Sequence, residues 1–447
     1  MAATAIDSQI LGNNFSTEAM RRVFSDENRV RKYLEFETAL ARVQARLGII
    51  PEAAAAEIQM KAKIETFDLA ELARETERIG YPVLPVVRQL AERCAGGLGE
   101  WCHWGATTQD VTDTATVMQM REAFVLIESD LASISNSLAD IARRYRDTPM
   151  AGRSNLQQAV PTTFGFKAAT LLSAVRRHRV RLSELKPRVL VGEFGGAVGT
   201  LASLGSDGLR VQEALMAELR LEQPEIAWHT IRDNVAEAAC FLGLVTGTLA
   251  KLATDVKLLM QTEVAEAAEP FTAGRGSSST MPQKRNPVSC LYITACASMV
   301  RQQVAALLEA MVQDHERATG TWQIEWIALP EIFLLSSGAL AHARTMLAGL
   351  EVDAGRMREN LGITHGLIVS EAVMMGVAPF LGRARAHDLI YSLCRRAIEQ
   401  NRPLVDLLAE NAEISHHFDR PALERLTDPS NYLGQAGEMI DRVLART

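Results

Sequence analysis

The sequence predicts an all-α protein built around a central bundle of five long helices, and three observations carry that prediction. Ala, Leu, Arg and Glu are abundant while aromatic residues make up only 5% of the chain, a balance that favours helix over sheet. Val117, Met120, Phe124, Ile127, Leu131, Ile134, Leu138, Ile141 and Tyr145 step by alternating three and four, the spacing of a helical seam. A second seam runs through Leu242, Val245, Leu249, Leu252, Val256 and Leu259, inside a stretch without proline from Val235 to Glu269. As one helix that stretch would be about 50 Å long.

Taken in order, the first clear element is a shorter helix with Phe36, Leu40, Val43 and Leu47 on one face. The first long helix follows Thr107, Thr108 and Asp110, residue types that cap helix N-termini. Further long helices are expected after Pro161 to about Leu185, over the second seam, after Pro287 to about Gln313, and after Leu329, hence from Pro330, to about Leu350. Beyond Asp353 short helices are broken by Gly and Pro. These breaks divide the chain into an N-terminal helical domain (1–105), the central bundle (106–352) and a C-terminal helical domain (353–447). Seams this long leave a face over, so a shared helical core with partner subunits is expected.

Composition narrows the function. Lys plus Arg number 47 and Asp plus Glu 54, a net charge of −7, which disfavours a general nucleic-acid binder. The six cysteines are scattered without a CxxC pair, as in a reduced cytoplasmic protein. The N-terminus has no signal-peptide pattern and no run of 18 apolar residues occurs, so neither secretion nor a membrane span is expected. No His, Cys or carboxylate set has metal-site spacing, and no metal is expected. GEFGGAVGT (192–200) lacks the flanking strand of a phosphate loop, and the basic run Arg176 to Arg181 spreads around a helix.

The most unusual segment is GRGSSSTMPQKRNP (274–287). Its glycines permit motion, its serine hydroxyls exchange protons, and Lys284 with Asn286 suits a carboxylate, together the parts of a mobile catalytic lid. The segment resembles the GSSxMPxKxNP loop of the fumarase/aspartase superfamily, with Ser277 standing where the family has glycine. The resemblance extends over essentially the whole chain. It implies the three-domain superfamily fold, a homotetramer with shared active sites, and no cofactor. It makes Ser278 the catalytic base and places Ser279, Met281, Lys284 and Asn286 on the substrate. HWGATTQDVTDT (103–114) looks like the first active-site segment, in which Thr107 and Thr108 would bind a carboxylate. GRSNLQQAVPTTFG (152–165) looks like the second, giving Ser154, Asn155 and Gln157 as substrate contacts. Many members carry a catalytic histidine where Asn155 stands, so another proton donor is required, and His103 is the candidate.

Within the superfamily, Trp228-His229-Thr230 with Arg232-Asp233, the stretch from Asp314 to Ile332, and DPSNYLGQAGE (428–438) resemble the lactonizing, carboxymuconate cycloisomerase branch, though that branch commonly has histidine at Gln158 and Gln283. The Ser and Arg that hold a nucleotide phosphate in the adenylosuccinate lyase branch are replaced by Gln323 and Trp326. The resemblance therefore implies a small di- or tricarboxylate, with Arg232 as a further binding residue, and lactonization through an aci-carboxylate intermediate. The alternatives are a C–N lyase releasing fumarate from an N-succinyl compound, and a non-catalytic protein on the same scaffold.

Overall fold

Asp26–Arg46 forms the first substantial helix, α1, because Ser25 caps it: the Ser25 hydroxyl accepts from Asn28 N at 3.2 Å. Its inner face buries Tyr33, Phe36, Leu40 and Val43. The structure, a computed structural model, describes residues 4–446, and its architecture is all-α. Five long helices follow: α2 (Thr108–Arg144), α3 (Phe164–Val189), α4 (Asp233–Leu259), α5 (Val288–Glu309) and α6 (Thr321–Ala348). In the first seam Val117 through Leu138 are buried on α2, and the second seam is buried throughout on α4.

Three boundaries depart from expectation. α4 stops at Leu259, and the chain turns through Ala265, whose φ of 52° is left-handed. α6 begins at Thr321 and carries Pro330 inside it, so the proline that read as a helix start instead interrupts one backbone hydrogen bond. Pro161 opens no helix: it lies in a hairpin the periodicity missed, β1 (Pro149–Ser154) paired with β2 (Gln157–Thr163), with Ser154 opposite Gln157. A second, two-residue ladder joins β3 (Ala267–Ala268) to β4 (Glu351–Val352).

The contacts group the chain into two units, one of residues 1–132, 177–250 and 292–342, the other of 133–176, 251–291 and 343–447. In the first, Phe124 packs edge-on to Phe333 at 5.3 Å, with Phe36 and Phe194 buried as well. In the second, the short C-terminal helices bury Val373, Ile390, Leu393, Leu404 and Leu408 together. α4, α5 and α6 are long and apolar enough to cross a membrane by length and composition alone. In α4 and α6 more than half of the apolar stretch is buried inside the protein, which accounts for its composition. In α5 only 28% is.

Candidate active site

In the second unit the serine-rich segment closes as a small hairpin ahead of α5. Ser277 pairs with Arg285, and Gly276 O accepts from both Asn286 N (2.9 Å) and Asn286 Nδ2 (3.0 Å). Gly276 has φ 73°, and a Cβ there would stand 2.7 Å from Asn286 O. The obligatory glycine is therefore residue 276, which leaves position 277 free to be serine. The return strand is anchored at its base: Glu269 Oε2 and Oε1 accept from Ser289 N (3.0 Å) and Cys290 N (2.8 Å), free donors at the start of α5. Arg285 is tied to Glu351 at 3.0 Å.

Within this loop the Ser278 Oγ accepts from Met281 N at 3.1 Å and Thr280 N at 3.3 Å. Two N–H groups aimed at one hydroxyl oxygen stabilise negative charge on it. Lys284 is exposed and has no ion-pair partner among the described residues. With Met281, Gln283, Asn286, Lys257 and Gln261 it lines a cavity of about 1060 Å³. Ser278 and Ser279 do not line it; Ser279 is exposed.

Ser154, Asn155 and Gln157 sit exposed at the tip of the β1–β2 hairpin. Asn155 (φ 50°) and Leu156 (φ 62°) form its two-residue turn in the left-handed geometry that suits strand twist. Asn tolerates that backbone, and its side chain makes no hydrogen bond among the described residues. Gln158 is engaged elsewhere, donating to Asn360 O at 2.8 Å.

The first unit holds the remaining candidates. Thr107 precedes α2, and its N–H donates to Asp110 Oδ2 at 2.9 Å, the backward half of a capping box; Thr108 is the first helical residue. The same Asp110 carboxylate accepts from Gly195 N (2.9 Å) and Gly196 N (3.0 Å) and lies 2.7 Å from His229 Nε2. A Cβ on Gly195 would stand 2.9 Å from His229 Cε1, so the glycines of GEFGGAVGT serve close packing on a histidine. Asp110, Glu193 and His229 gather within 4.8 Å, a cluster that sequence spacing did not reveal. Burial pushes the Glu193 carboxyl up to about 8. The Asp110 oxygens and Glu193 Oε2 already accept hydrogen bonds from the protein, as befits a structural hub.

Arg232 departs from its expected role. It is 3% exposed and clamped between two buried carboxylates: Nη1 donates to Asp113 Oδ2 at 2.7 Å, and Nη2 to Glu325 Oε2 at 2.6 Å. Trp228 lies over its guanidinium at 4.7 Å. It holds protein together and has no face open to a substrate. His103 has its Nδ1 2.6 Å from Glu37 Oε1, a partner that sequence reasoning overlooked. The missed signal was a carboxylate on the apolar face of α1, among Tyr33, Phe36 and Leu40.

Residues 13–301 match a family model described as Lyase, and residues 366–443 one described as Adenylosuccinate lyase C-terminus. The chain is 57% identical to trans-aconitate decarboxylase 1 of Mycosarcoma maydis, over 98% of this chain and 88% of that one. It is 48% identical to the 3-carboxy-cis,cis-muconate cycloisomerase of Pseudomonas aeruginosa, over 98% and 96% of the two chains. It superposes on the crystal structure of fumarate lyase from Mesorhizobium sp. BNC1 with a TM-score of 0.91 at 51% identity, covering 97% of this chain and 99% of that one.

Proposed function

The chain belongs to the fumarase/aspartase superfamily of lyases and cycloisomerases, and from that premise we propose that it lactonizes a small unsaturated tricarboxylate, 3-carboxy-cis,cis-muconate. One carboxylate of the substrate adds across a double bond, and the electron pair moves to the carbon beside another carboxylate as an aci-carboxylate dianion. Fixed donors must meet that charge. Lys284 and Asn286 supply them, with the Thr107-Thr108 segment, and Ser279, Met281, Ser154, Asn155 and Gln157 are further substrate contacts. Ser278 hands a proton to the carbon and regains it from an acid, a role given to His103. Every atom of the new ring comes from the substrate, so no cofactor is required.

The observation that carries this reading is Lys284, a lysine without an ion-pair partner on the wall of a cavity that also presents Lys257 and Asn286. Such a wall suits a substrate with three negative charges. Decarboxylation of a tricarboxylate is the second reading, supported by the 57% identical decarboxylase and by Asn155, since loss of carbon dioxide needs no acid for a leaving group. Release of fumarate from an N-succinyl compound remains the third. Retention of Ser278, Lys284 and Asn286 speaks against a scaffold without activity. The test offers purified protein carboxymuconate, trans-aconitate and N-succinyl amines in turn. Loss of carboxymuconate absorbance with a lactone as sole product is the expected result. Carbon dioxide from trans-aconitate, or fumarate from an N-succinyl amine, with carboxymuconate untouched, would overturn it.

We also infer a homotetramer whose active sites draw on more than one subunit, and we retain the division near residues 105 and 352, which brackets α2 to α6. The support is α5, an apolar helix on which Leu291, Met299 and Leu308 stand about half exposed (54, 50 and 48%). Met299→Glu with Leu308→Glu is expected to lower the mass in solution from four chains to one or two, read by light scattering. An unchanged tetramer, or a wild-type monomer with full activity, would contradict the assignment. None of the six cysteines forms a disulfide, which supports a reducing cytoplasmic compartment.

A further inference from the structure

A carboxylate on the inner face of a helix is costly unless something compensates it. Glu37 is 1% exposed, and both of its oxygens are committed to one residue: Oε1 lies 2.6 Å from His103 Nδ1, and Oε2 accepts from His103 N at 2.9 Å. His103 has φ 59°, a left-handed backbone that a residue with a side chain adopts only when its surroundings hold it there. The second of these bonds does that. The first settles the ring: a carboxylate facing Nδ1 requires a proton on that nitrogen, which leaves Nε2 as the working one. Nε2 has no partner among the described residues, and the side chain is 22% exposed.

We propose that Glu37 is a positioning residue that holds His103 as the proton donor of this enzyme, with Nδ1 tied to the carboxylate and Nε2 left to deliver the proton. The inference rests on the lyase reading above and deepens it, because Asn155 occupies the place of the histidine that many members of the superfamily use. The proton balance is simple. Ring closure forms a C–O bond, breaks a π bond and forms a C–H bond, so a carboxylate becoming a lactone consumes one proton. Ser278 gives its proton to carbon, imidazolium Nε2–H restores it, and the neutral ring, still Nδ1–H on Glu37, recovers a proton from solvent.

The charged groups facing His103 are Glu37 from α1 and Asp110 from the first turn of α2. The neighbouring Cys102 thiol is raised by burial and stays neutral. Burial of the ring works against its charge, but Glu37 and then Asp110 outweigh it, so His103 titrates above the ordinary 6.5. The donor is therefore present at low pH and lost as pH rises through that raised value.

Glu37→Gln keeps an acceptor for Nδ1–H and removes the charge. Expected are a kcat lower by about 10- to 100-fold, a KM within about threefold, and an alkaline limb of the kcat profile moved down by about one pH unit. In protein labelled with ¹³Cε1-histidine, the His103 resonance should show the same downward move in its titration, and Glu37→Asp should restore part of it. His103→Asn, which suits a left-handed backbone, should lose as much activity, with no further loss in the double variant. A His103 midpoint unchanged in Glu37→Gln, or a fall in kcat with the limb unmoved, overturns the proposal. A midpoint that moves while kcat and limb stay also overturns the donor role, yet leaves the reaction class, read from products, standing.

Discussion

Replacing Ser278 with alanine is expected to lower kcat by about 10²- to 10⁴-fold while KM changes by no more than a few-fold, the signature of losing a proton-transfer group. Ser278 Oγ accepts from Met281 N (3.1 Å) and Thr280 N (3.3 Å). Those bonds favour the deprotonated oxygen over the hydroxyl, because an anion accepts from N–H more strongly than a neutral oxygen does. Ser277 is committed to the strand-like pairing with Arg285, and Ser279 is exposed. Alanine at Ser277 should leave turnover within a few-fold of normal, and alanine at Ser279, a substrate contact, should act on KM more than on kcat. Steady-state kinetics on the three variants decides the matter: near-normal turnover in Ser278→Ala, with a large loss in one of its neighbours, would move the assignment to that neighbour.

The long helices were legible because a seam of alternating three and four reports burial directly, and residues such as Phe124 and Leu249 lie where that spacing puts them. The β1–β2 hairpin was not, since its turn is made by Asn155 and Leu156 in left-handed conformations without a glycine to announce them. Pro330 misled for a related reason: its sequence signal is the same at a helix start and at an interruption inside one, and packing decides between them. Among the site residues, the serine loop was readable because its chemistry is local, with Gly276, Ser278, Lys284 and Asn286 all within one turn of chain. Glu37, Asp113, Glu193 and Glu325 were not. Each acts on a partner distant in sequence, and a carboxylate's partner cannot be read from its own neighbours. Arg232 shows the cost of that limit, since an arginine beside an active-site motif looks the same in sequence whether it meets a substrate or two buried carboxylates.

Arg232→Ala should therefore act on stability before it acts on catalysis, with a loss of about 3–5 kcal/mol at pH 8. The guanidinium donates to Asp113 Oδ2 (2.7 Å) and Oδ1 (3.0 Å), and to Glu325 Oε1 (2.8 Å) and Oε2 (2.6 Å). Asp113 also accepts from Trp322 Nε1 (3.0 Å) and Gln109 Nε2 (3.0 Å), so removal of the arginine leaves α2, α6 and the start of α4 joined through two uncompensated carboxylates. Burial already raises the Glu325 carboxyl, an effect that Arg232 opposes. Without the arginine the folded-state pKa of the Glu325 carboxyl rises further above its unfolded value. A raised acid stabilises the folded state only while it can be protonated, and that contribution disappears as pH climbs through the raised value. The deficit of the variant should accordingly be smaller at pH 5.5 than at pH 8, as measured by urea midpoints at the two pH values. Arg232→Lys should recover little, because an ammonium cannot meet two carboxylates in the forked geometry of a guanidinium. A loss below about 1 kcal/mol, equal at both pH values and accompanied by a large rise in KM, would return Arg232 to the substrate.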